Sequence, residues 1–214
     1  TVYLVFLVTP PEATVERAWV RGLQVGRFKS VDDLLDHNIE AFKGIPKLFF
    51  TWALHKQKLV YYEFLDNSVL RGQIPRTIAF GLSGEMYILD FKCLLDIVRY
   101  TKININASNS SEVYPSDSDM QPENNTYFIL ECVRKIPVIN FVSRDSGMIY
   151  ARMESGRMKW IDTATFRCSI KQPDALAVFK VIASELITNL ENIPQQPAIP
   201  IPEQAQRQTM GNLS

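Results

Sequence analysis

The stretch that decides the fold is Val2-Tyr-Leu-Val-Phe-Leu-Val8, an unbroken apolar run that is followed by Thr9-Pro-Pro-Glu12. The run is rich in β-branched and aromatic residues and shows no alternation, which is typical of a strand covered on both faces. We therefore expect a buried parallel strand. Pro10 and Pro11 suit a turn and the first helical position, and Glu12 suits the positive end of a helix that starts there.

The helix that follows this turn is predicted to be amphipathic and to carry two arginines. Its apolar face, which we expect to fix the helix to the core, contains Val15, Ala18, Trp19, Gly22 and Leu23. Arg17, Arg21 and Gln24 lie on another face, so two guanidinium groups project side by side. Gly26 can end the helix in a left-handed conformation, which places Arg27 on the loop just beyond it.

The composition is that of an ordinary globular protein. The chain has 214 residues, 46% of them apolar, with 23 basic and 23 acidic side chains and a formal net charge of zero. No whole-chain field therefore attracts nucleic acid or an anionic membrane, and any anion site must be local. No apolar run approaches the ~20 residues that span a bilayer. The odd set Cys93, Cys132 and Cys168 indicates a reducing compartment and buried structural thiols, and resembles neither a disulfide framework nor a zinc site.

Shifts in composition divide the chain into four parts. Residues 1–103 form the first α/β part, and residues 104–126 form a polar loop or linker rich in Asn, Ser and Asp. Residues 127–191 form an α+β extension, and residues 192–214 form a proline-rich tail with a disordered end. The chain starts inside a strand without an initiator Met, and a parallel strand needs neighbours. We therefore expect a fragment whose missing strands lie upstream.

Local patterns place further elements along the chain. A helix capped by Ser30 is expected to end near Gly44-Ile45-Pro46, and the run 47–54 fits either a short helix or a buried strand. A hairpin joins 77–81 to 85–89. Further strands are expected at 58–65, 127–141, 148–153 and 158–161, and helices at 90–100 and 173–190.

Three arginines within eleven residues, Arg17, Arg21 and Arg27, are the best candidates for chemistry. In one interpretation Arg17 and Arg21 pair with Glu12 or Glu16 on a solvated helix face. In the other they capture phosphate, because guanidinium groups bind phosphate oxygens bidentately and stay charged. The sequence contains no glycine-rich phosphate loop ending in Lys-Ser/Thr and no Gly-x-Gly-x-x-Gly, and its two histidines are too few for a His-based metal cluster.

A set of short motifs resembles the later half of zeta-toxin-type P-loop kinases, a family that includes bacterial type III effector kinases. The motifs are Val5-Phe-Leu-Val-Thr-Pro-Pro-Glu12, Thr14-Val-Glu-Arg17, Arg21-Gly22, Gly26-Arg27-Phe28, Val31-Asp-Asp33, Phe64-Leu-Asp-Asn67 and Pro75-Arg-Thr-Ile-Ala79. The resemblance implies an α/β fold that is part of a P-loop kinase-like parallel sheet with helices, followed by the α+β extension.

The resemblance also implies a reaction and the residues that serve it. Arg17 and Arg27 would embrace the phosphates of ATP as catalytic residues, and Arg21 would be a third phosphate ligand. The upstream half of the same protein would supply the Lys-Ser/Thr loop, most of the Mg²⁺ ligands and the aspartate that deprotonates the acceptor. This chain by itself is therefore expected to be inactive. The acceptor would be a hydroxyl of a nucleotide-containing substrate such as UDP-N-acetylglucosamine or NAD.

Partners and location follow from the same resemblance. A toxin or effector kinase would meet an antitoxin or chaperone protein, and would act in the cytoplasm or, if secreted as an effector, in a host cell. A non-enzymatic alternative is that the strands after Tyr127 and the proline-rich tail form a protein-interaction module that docks such a partner. Neither hypothesis includes nucleic acid or a membrane.

Overall fold

A computed structural model describes residues 1–213, whose strands all belong to one mixed sheet. The strands are β1 Val2–Val8, β2 Val60–Asp66, β3 Arg76–Leu82, β4 Glu85–Ile88, β5 Val138–Ser143, β6 Met148–Glu154, β7 Arg157–Ile161 and β8 Ile199–Pro200. The first seven lie side by side in chain order, and β8 pairs with β6. The α/β fold class is confirmed, and the predicted hairpins at β3–β4 and β6–β7 are present.

All helices but the last cover one face of this sheet, here called the inner face, and the last packs on the opposite, outer face through Ala205. The helices are α1 Pro11–Val25, α2 Val31–Ala53, α3 Phe91–Arg99, α4 Asp117–Met120, α5 Tyr127–Lys135, α6 Thr163–Ser169, α7 Pro173–Ile182, α8 Ser184–Thr188 and α9 Glu203–Gln206. Phe49 of α2, Phe128 of α5 and Phe179 of α7 are fully buried in the main core. Within residues 1–213, no helix is long and apolar enough to cross a membrane.

The direction of the strands decides where a site can form. Pairing is parallel between β1 and β2 and between β4 and β5, and it is antiparallel at the hairpin steps. As a result, β1, β2, β4 and β5 all point the same way, and their carboxyl ends meet at one edge of the sheet. The β4–β5 pair also joins residues 1–103 and 127–191 in a continuous sheet.

Strand β1 lies at the edge of the sheet, so the prediction that both its faces are covered is wrong within residues 1–213. Phe6 and Val8 are buried against the helices, whereas Tyr3, Val5 and Leu7 are 70%, 42% and 51% exposed. Its backbone pairs with β2 on one side, and no other strand within residues 1–213 pairs with its other side. The apolar pattern shows that both faces of the strand could be buried, but within residues 1–213 only the face with Phe6 and Val8 is buried.

Helix α2 continues through Gly44-Ile45-Pro46, where the sequence predicted its end. The run at 47–54, for which the sequence allowed a short helix or a strand, belongs to this helix as far as Ala53. Pro46 lies inside α2, where a missing N–H costs about 3 kcal/mol. Phe42 and Phe49 lie two turns apart and are both buried on the sheet. Burying such a side chain contributes roughly 1.5–3 kcal/mol, so packing on both sides of the proline offsets its cost.

The strand predicted at 127–141 is wrong over its first half, which forms α5. Phe128, Ile129, Cys132 and Val133 are buried, and their spacing is that of one helical face. Only Val138 onward is strand. The helix predicted at 173–190 is interrupted at Ala183, which separates α7 from α8.

The polar segment 104–126 is folded back on the helices. Val113 is buried beside Ile103 and Leu35, and Asn125, also buried, donates two hydrogen bonds from Nδ2 to the carbonyls of Asp119 and Gln121, at 2.8 and 2.7 Å. Backbone groups in this stretch are therefore satisfied by its own polar side chains, which explains its composition.

Residues 199–213, here called the C-terminal strap, cover the outer face of the sheet instead of forming the predicted disordered end. Ile201 is buried against the outer core residues, which are Phe80, Tyr87, Leu89, Val142 and Ile149. Farther along the strap, a buried carboxylate on β2, that of Glu63, accepts hydrogen bonds from Met210 N at 2.8 Å and Gly211 N at 3.0 Å. The Thr77 hydroxyl donates to the same carboxylate at 2.6 Å.

Candidate functional site

The site begins where β1 and β2 end side by side. In open α/β sheets, ligands bind in the crevice beyond the carboxyl ends of the strands. Here β1 leads into α1, and β2 leads into a loop at residues 67–73. The helix and the loop form the two walls of a cleft of about 690 Å³, here called the arginine cleft.

Local sequence explains how α1 reaches this position. Pro11 occupies the first turn, as predicted, and Gly26 ends the helix with φ 71°, its N–H bonding the carbonyl of Gly22 at 2.8 Å. A side chain at Gly22 would overlap the ring of Phe28, so this glycine allows the chain to turn back closely over the helix. The prediction of a left-handed glycine cap before Arg27 is confirmed.

The apolar face of α1 does not enter the core as expected. Trp19 is 59% exposed and its ring lies against that of Phe28, with centroids 5.0 Å apart. Leu23 is exposed as well, and Pro11 and Gly22 are the buried residues of the helix. The helix is therefore held at its ends and through α2, and its outer apolar face remains open.

Arg17 ties the two walls of the cleft together. Its Nη2 donates to the carbonyl oxygens of Asn67 and Val69, at 2.8 and 2.9 Å. Glu12, one of its expected partners, instead accepts a hydrogen bond from the Tyr114 hydroxyl at 3.0 Å. Within residues 1–213 Arg17 forms no ion pair, so its predicted pairing with Glu12 or Glu16 is wrong. Its other nitrogens stay available to a ligand.

Arg21 belongs to the helical wall of the cleft and Arg71 to its loop wall. Both line the cleft, and neither has a hydrogen-bond or ion-pair partner within residues 1–213. With Arg17 they place three cations against the single carboxylate of Glu16. Two of the three predicted arginines are thus brought together. Arg27 follows the helix cap and does not line the cleft.

Arg71 is not among the site residues that the sequence predicts. The residue follows the turn signal Asp66-Asn67-Ser68, so a loop was foreseeable, but nothing in the local pattern places that loop against α1. The contact arises because β1 and β2 are parallel neighbours. Gly72, with φ 89°, and the hydrogen bond from Gln73 N to the Leu70 carbonyl at 3.0 Å shape the turn that presents Arg71.

An ion pair supports the base of this loop. Arg76 donates to Asp66 Oδ2 at 2.6 Å, and Ser68 N donates to Asp66 Oδ1 at 2.9 Å. Burial raises the pKa of Asp66, but the hydrogen bonds from Arg76 and Ser68 outweigh burial, so its pKa lies below the ordinary value. Asp66 is therefore a negative anchor at the end of β2, and it holds Arg76 away from the cleft.

The cysteines and possible metal ligands add no chemistry to this site. Cys93 and Cys132 are buried, and burial raises the pKa of both thiols. Cys168 is exposed, so the expectation of a buried thiol is wrong there. Among the described residues, no group of three or more His, Cys, Asp or Glu side chains is arranged to hold a metal ion.

Comparison with known proteins was negative. No family model, curated protein or solved structure matches the chain. The features of the chain that indicate a function are therefore the chemistry and position of the arginine cleft and the short zeta-toxin-like motifs of its sequence.

Proposed function

We propose that this chain is the C-terminal part of an ATP-dependent small-molecule kinase and that the arginine cleft binds phosphate. The observation that carries the proposal is the placement of Arg17, Arg21 and Arg71 in one cleft beyond the carboxyl ends of the parallel strands β1 and β2. This is where α/β proteins bind phosphorylated ligands, and guanidinium groups match phosphate oxygens in geometry and charge.

The chemistry proposed for the cleft is charge stabilisation. Phosphoryl transfer spreads negative charge over the transferred oxygens, and an arginine that balances this charge can contribute about 10³ or more in rate. Arg21 and Arg71 would contact the phosphates directly, and Arg17 would do so through the nitrogens that the loop leaves free. Arg27 is included as a catalytic residue on the strength of the resemblance. In the complete protein, Arg27→Ala should lower kcat far more than it lowers stability.

The remainder of the kinase site is proposed to come from an upstream part of the same protein. That part would bring the Lys-Ser/Thr phosphate loop, the Mg²⁺ ligands and the catalytic aspartate, and its strands would pair with the open edge of β1. The acceptor would be a hydroxyl of a nucleotide-containing substrate such as UDP-N-acetylglucosamine or NAD. A toxin or effector of this kind would work in the cytoplasm of its own cell or of a host.

Phosphate binding by the isolated chain is the direct test. Calorimetric titration with tripolyphosphate and with ATP should show saturable binding, and Arg21→Ala and Arg71→Ala should each weaken it about tenfold, the effect of one charged hydrogen bond. Arg157 on β7 is exposed and its side chain has no hydrogen-bond or ion-pair partner within residues 1–213, so Arg157→Ala is the matched control. Equal phosphate affinity of Arg21→Ala, Arg71→Ala and Arg157→Ala would contradict phosphate binding in the arginine cleft.

A second candidate function is protein binding, and the exposed apolar face of α1 favours it. Trp19, Leu23 and Phe28 form a surface that residues 1–213 leave uncovered. Aromatic residues of this kind anchor protein interfaces, so an antitoxin or chaperone is the partner we would seek. A Trp19→Ala variant that still captures such a partner with wild-type affinity would argue against this role.

A further inference from the structure

A second cavity lies at the same edge of the sheet, where the other parallel pair ends. Its volume is about 420 Å³, within the range of small-molecule sites. Leu89 and Asp90 follow β4, and Ser143 and Arg144 end or follow β5, while α6 and the start of α7 close the far side. This β4–β5 cavity shares no residue with the arginine cleft.

Its walls combine apolar surface with unpaired charge. Leu89, Val142 and Tyr150 are buried, and the Tyr150 hydroxyl is bonded to Ser169 Oγ at 2.9 Å. Arg144 is half-buried in the same wall, and its Nη2 donates to the Thr77 carbonyl at 2.7 Å. Burial lowers the pKa of Arg144. Within residues 1–213 this guanidinium has no carboxylate partner, so it is suited to receive an anionic group.

Carboxylates of the cavity provide the opposite charge. Asp90 Oδ1 accepts the α3 cap hydrogen bond from Cys93 N at 3.0 Å, and its Oδ2 accepts none within residues 1–213. Asp145 is exposed at the rim and has no side-chain partner among the described residues. Both carboxylates are therefore suited to receive a protonated amine.

Two other charged groups on the cavity wall are already neutralised. Lys92 Nζ pairs with Asp96 Oδ2 at 2.8 Å, and Asp174 Oδ1 pairs with Arg99 Nη2 at 2.9 Å. Among the described residues, the charged groups of this cavity that form no ion pair are therefore Arg144, Asp90 and Asp145. A simple anion would meet two carboxylates, and a simple cation would leave Arg144 unmatched.

We propose that the β4–β5 cavity binds a small zwitterion of the free amino-acid type. Its carboxylate would pair with Arg144, its ammonium group would pair with Asp90 and Asp145, and its side chain would contact the apolar wall that Phe91, Tyr150 and Ala175 form. The site is independent of the kinase proposal, because its residues and its balance of charge differ from those of the arginine cleft.

Calorimetry on the 214-residue chain tests this site. The probes are glycine, leucine and phenylalanine, with acetate and methylammonium as singly charged comparisons. We expect at least one amino acid to bind about tenfold or more tighter than either single charge, as two charge-assisted contacts require. Acetate or methylammonium binding as tightly as the amino acids, or no binding by any amino acid, would overturn the proposal.

Variants locate the binding. Arg144→Gln should abolish the amino-acid signal, but Arg144 also donates to the Leu213 carbonyl at 3.5 Å, so this change can loosen the strap. Asp145→Asn is exposed and tests the ammonium contact without that risk, and we expect it to weaken affinity about tenfold. Asp117→Asn, an exposed change on α4, is the matched control. Wild-type affinity in Asp145→Asn and Asp90→Asn together would assign the ligand to another surface.

Discussion

Arg17 holds the loop at residues 67–73 against α1 through two hydrogen bonds from one guanidinium nitrogen. Each acceptor is a backbone carbonyl, so the contact fixes the path of the loop and not only a side chain. A net contribution of about 0.5–1.5 kcal/mol per hydrogen bond makes this contact comparable to the whole cost of ordering a residue of the loop. The width of the arginine cleft therefore depends on Arg17.

We predict that Arg17→Ala makes this loop open more often. Trypsin cleaves after exposed arginines, so cleavage after Arg71 should accelerate roughly 5- to 100-fold if both hydrogen bonds contribute at the usual scale. Mass spectrometry of timed digests measures the site and the rate. Arg21→Ala is the comparison, because Arg21 has no partner to lose within residues 1–213. Matching cleavage rates in the two variants would contradict the clamp.

Asp66 gives a second prediction at the same scale, in the acid range. Its folded-state pKa lies below the ordinary value of 3.8, so the ionised form stabilises the fold above that pH. This contribution is lost as the pH falls below 3.8 through the folded-state pKa. Asp66→Asn should therefore be less stable than wild type at about pH 6, and the gap should narrow on acidification. Urea unfolding across pH measures it. A gap that stays constant down to acid pH would contradict the role of ionised Asp66.

At the scale of elements, β1 is an apolar strand whose outer edge has no neighbouring strand within residues 1–213. Such edges template pairing with other chains, and natural proteins commonly blunt them with lysine, proline or a bulge. The strand has none of these, and Tyr3 stacks on Tyr61 with ring centroids 4.9 Å apart on the uncovered face. The isolated chain should therefore associate through this strand.

We predict that Val5→Lys reduces association by placing a charge on the open strand. Light scattering over a concentration series should show a lower average mass for this variant than for wild type. Val181→Lys puts the same charge on an exposed position of α7, far along the chain from the edge, and should leave association unchanged. Equal association of wild type and Val5→Lys would show that β1 is not the contact surface.

The elements that sequence predicted well are those whose signals are local. The β3–β4 hairpin, α3 and the β6–β7 hairpin each combine a turn residue with a consistent period, and α3 is capped by Asp90. Helices α2 and α5 required knowledge of what lies opposite them. From the sequence alone, Pro46 predicts the end of a helix, and only the burial of Phe49 explains why α2 continues past it. The β-rich run at 127–135 likewise predicts a strand, and only its packing against α3 explains why it is a helix.

Prediction of the site followed the same division. Arg17 and Arg21 were recognisable because their spacing on α1 is a property of the helix. Arg71 was not, because its position depends on the parallel pairing of β1 with β2 over a separation of more than fifty residues. The β4–β5 cavity was invisible for the same reason, since Asp90 and Arg144 meet only through the pairing of β4 with β5.

At the scale of the whole molecule, the helices and the C-terminal strap enclose the sheet from opposite sides. The strap carries Gly211 across β2 and β3 so closely that a Cβ would overlap the Thr77 hydroxyl and the Leu65 side chain. The fit of the strap therefore depends on this glycine, whose φ is not in the left-handed region. Space, not backbone conformation, is the constraint.

We predict that Gly211→Ala destabilises the fold by about 1–3 kcal/mol, because it forces the strap off its seat. Gly44→Ala is the matched control: Gly44 lies inside α2 with nothing near its added methyl group, so that change should stabilise by about 1 kcal/mol. Thermal and urea unfolding of both variants measure the difference. Stabilisation by both Gly211→Ala and Gly44→Ala would contradict close packing of the strap against the sheet at Gly211.

The hydrogen bonds to the Glu63 carboxylate can form only late in synthesis, because two of their donors lie near the end of the chain. Met210, one of the residues that satisfy it, follows 147 positions later in the chain. At the usual 5–20 residues per second, a ribosome takes about 7–30 s to make that stretch. During this time Glu63 lacks its two donors from the strap, and the strap does not yet cover the outer core. The nascent chain is therefore expected to reach its final fold only after translation of the strap, and to offer chaperones an apolar face until then.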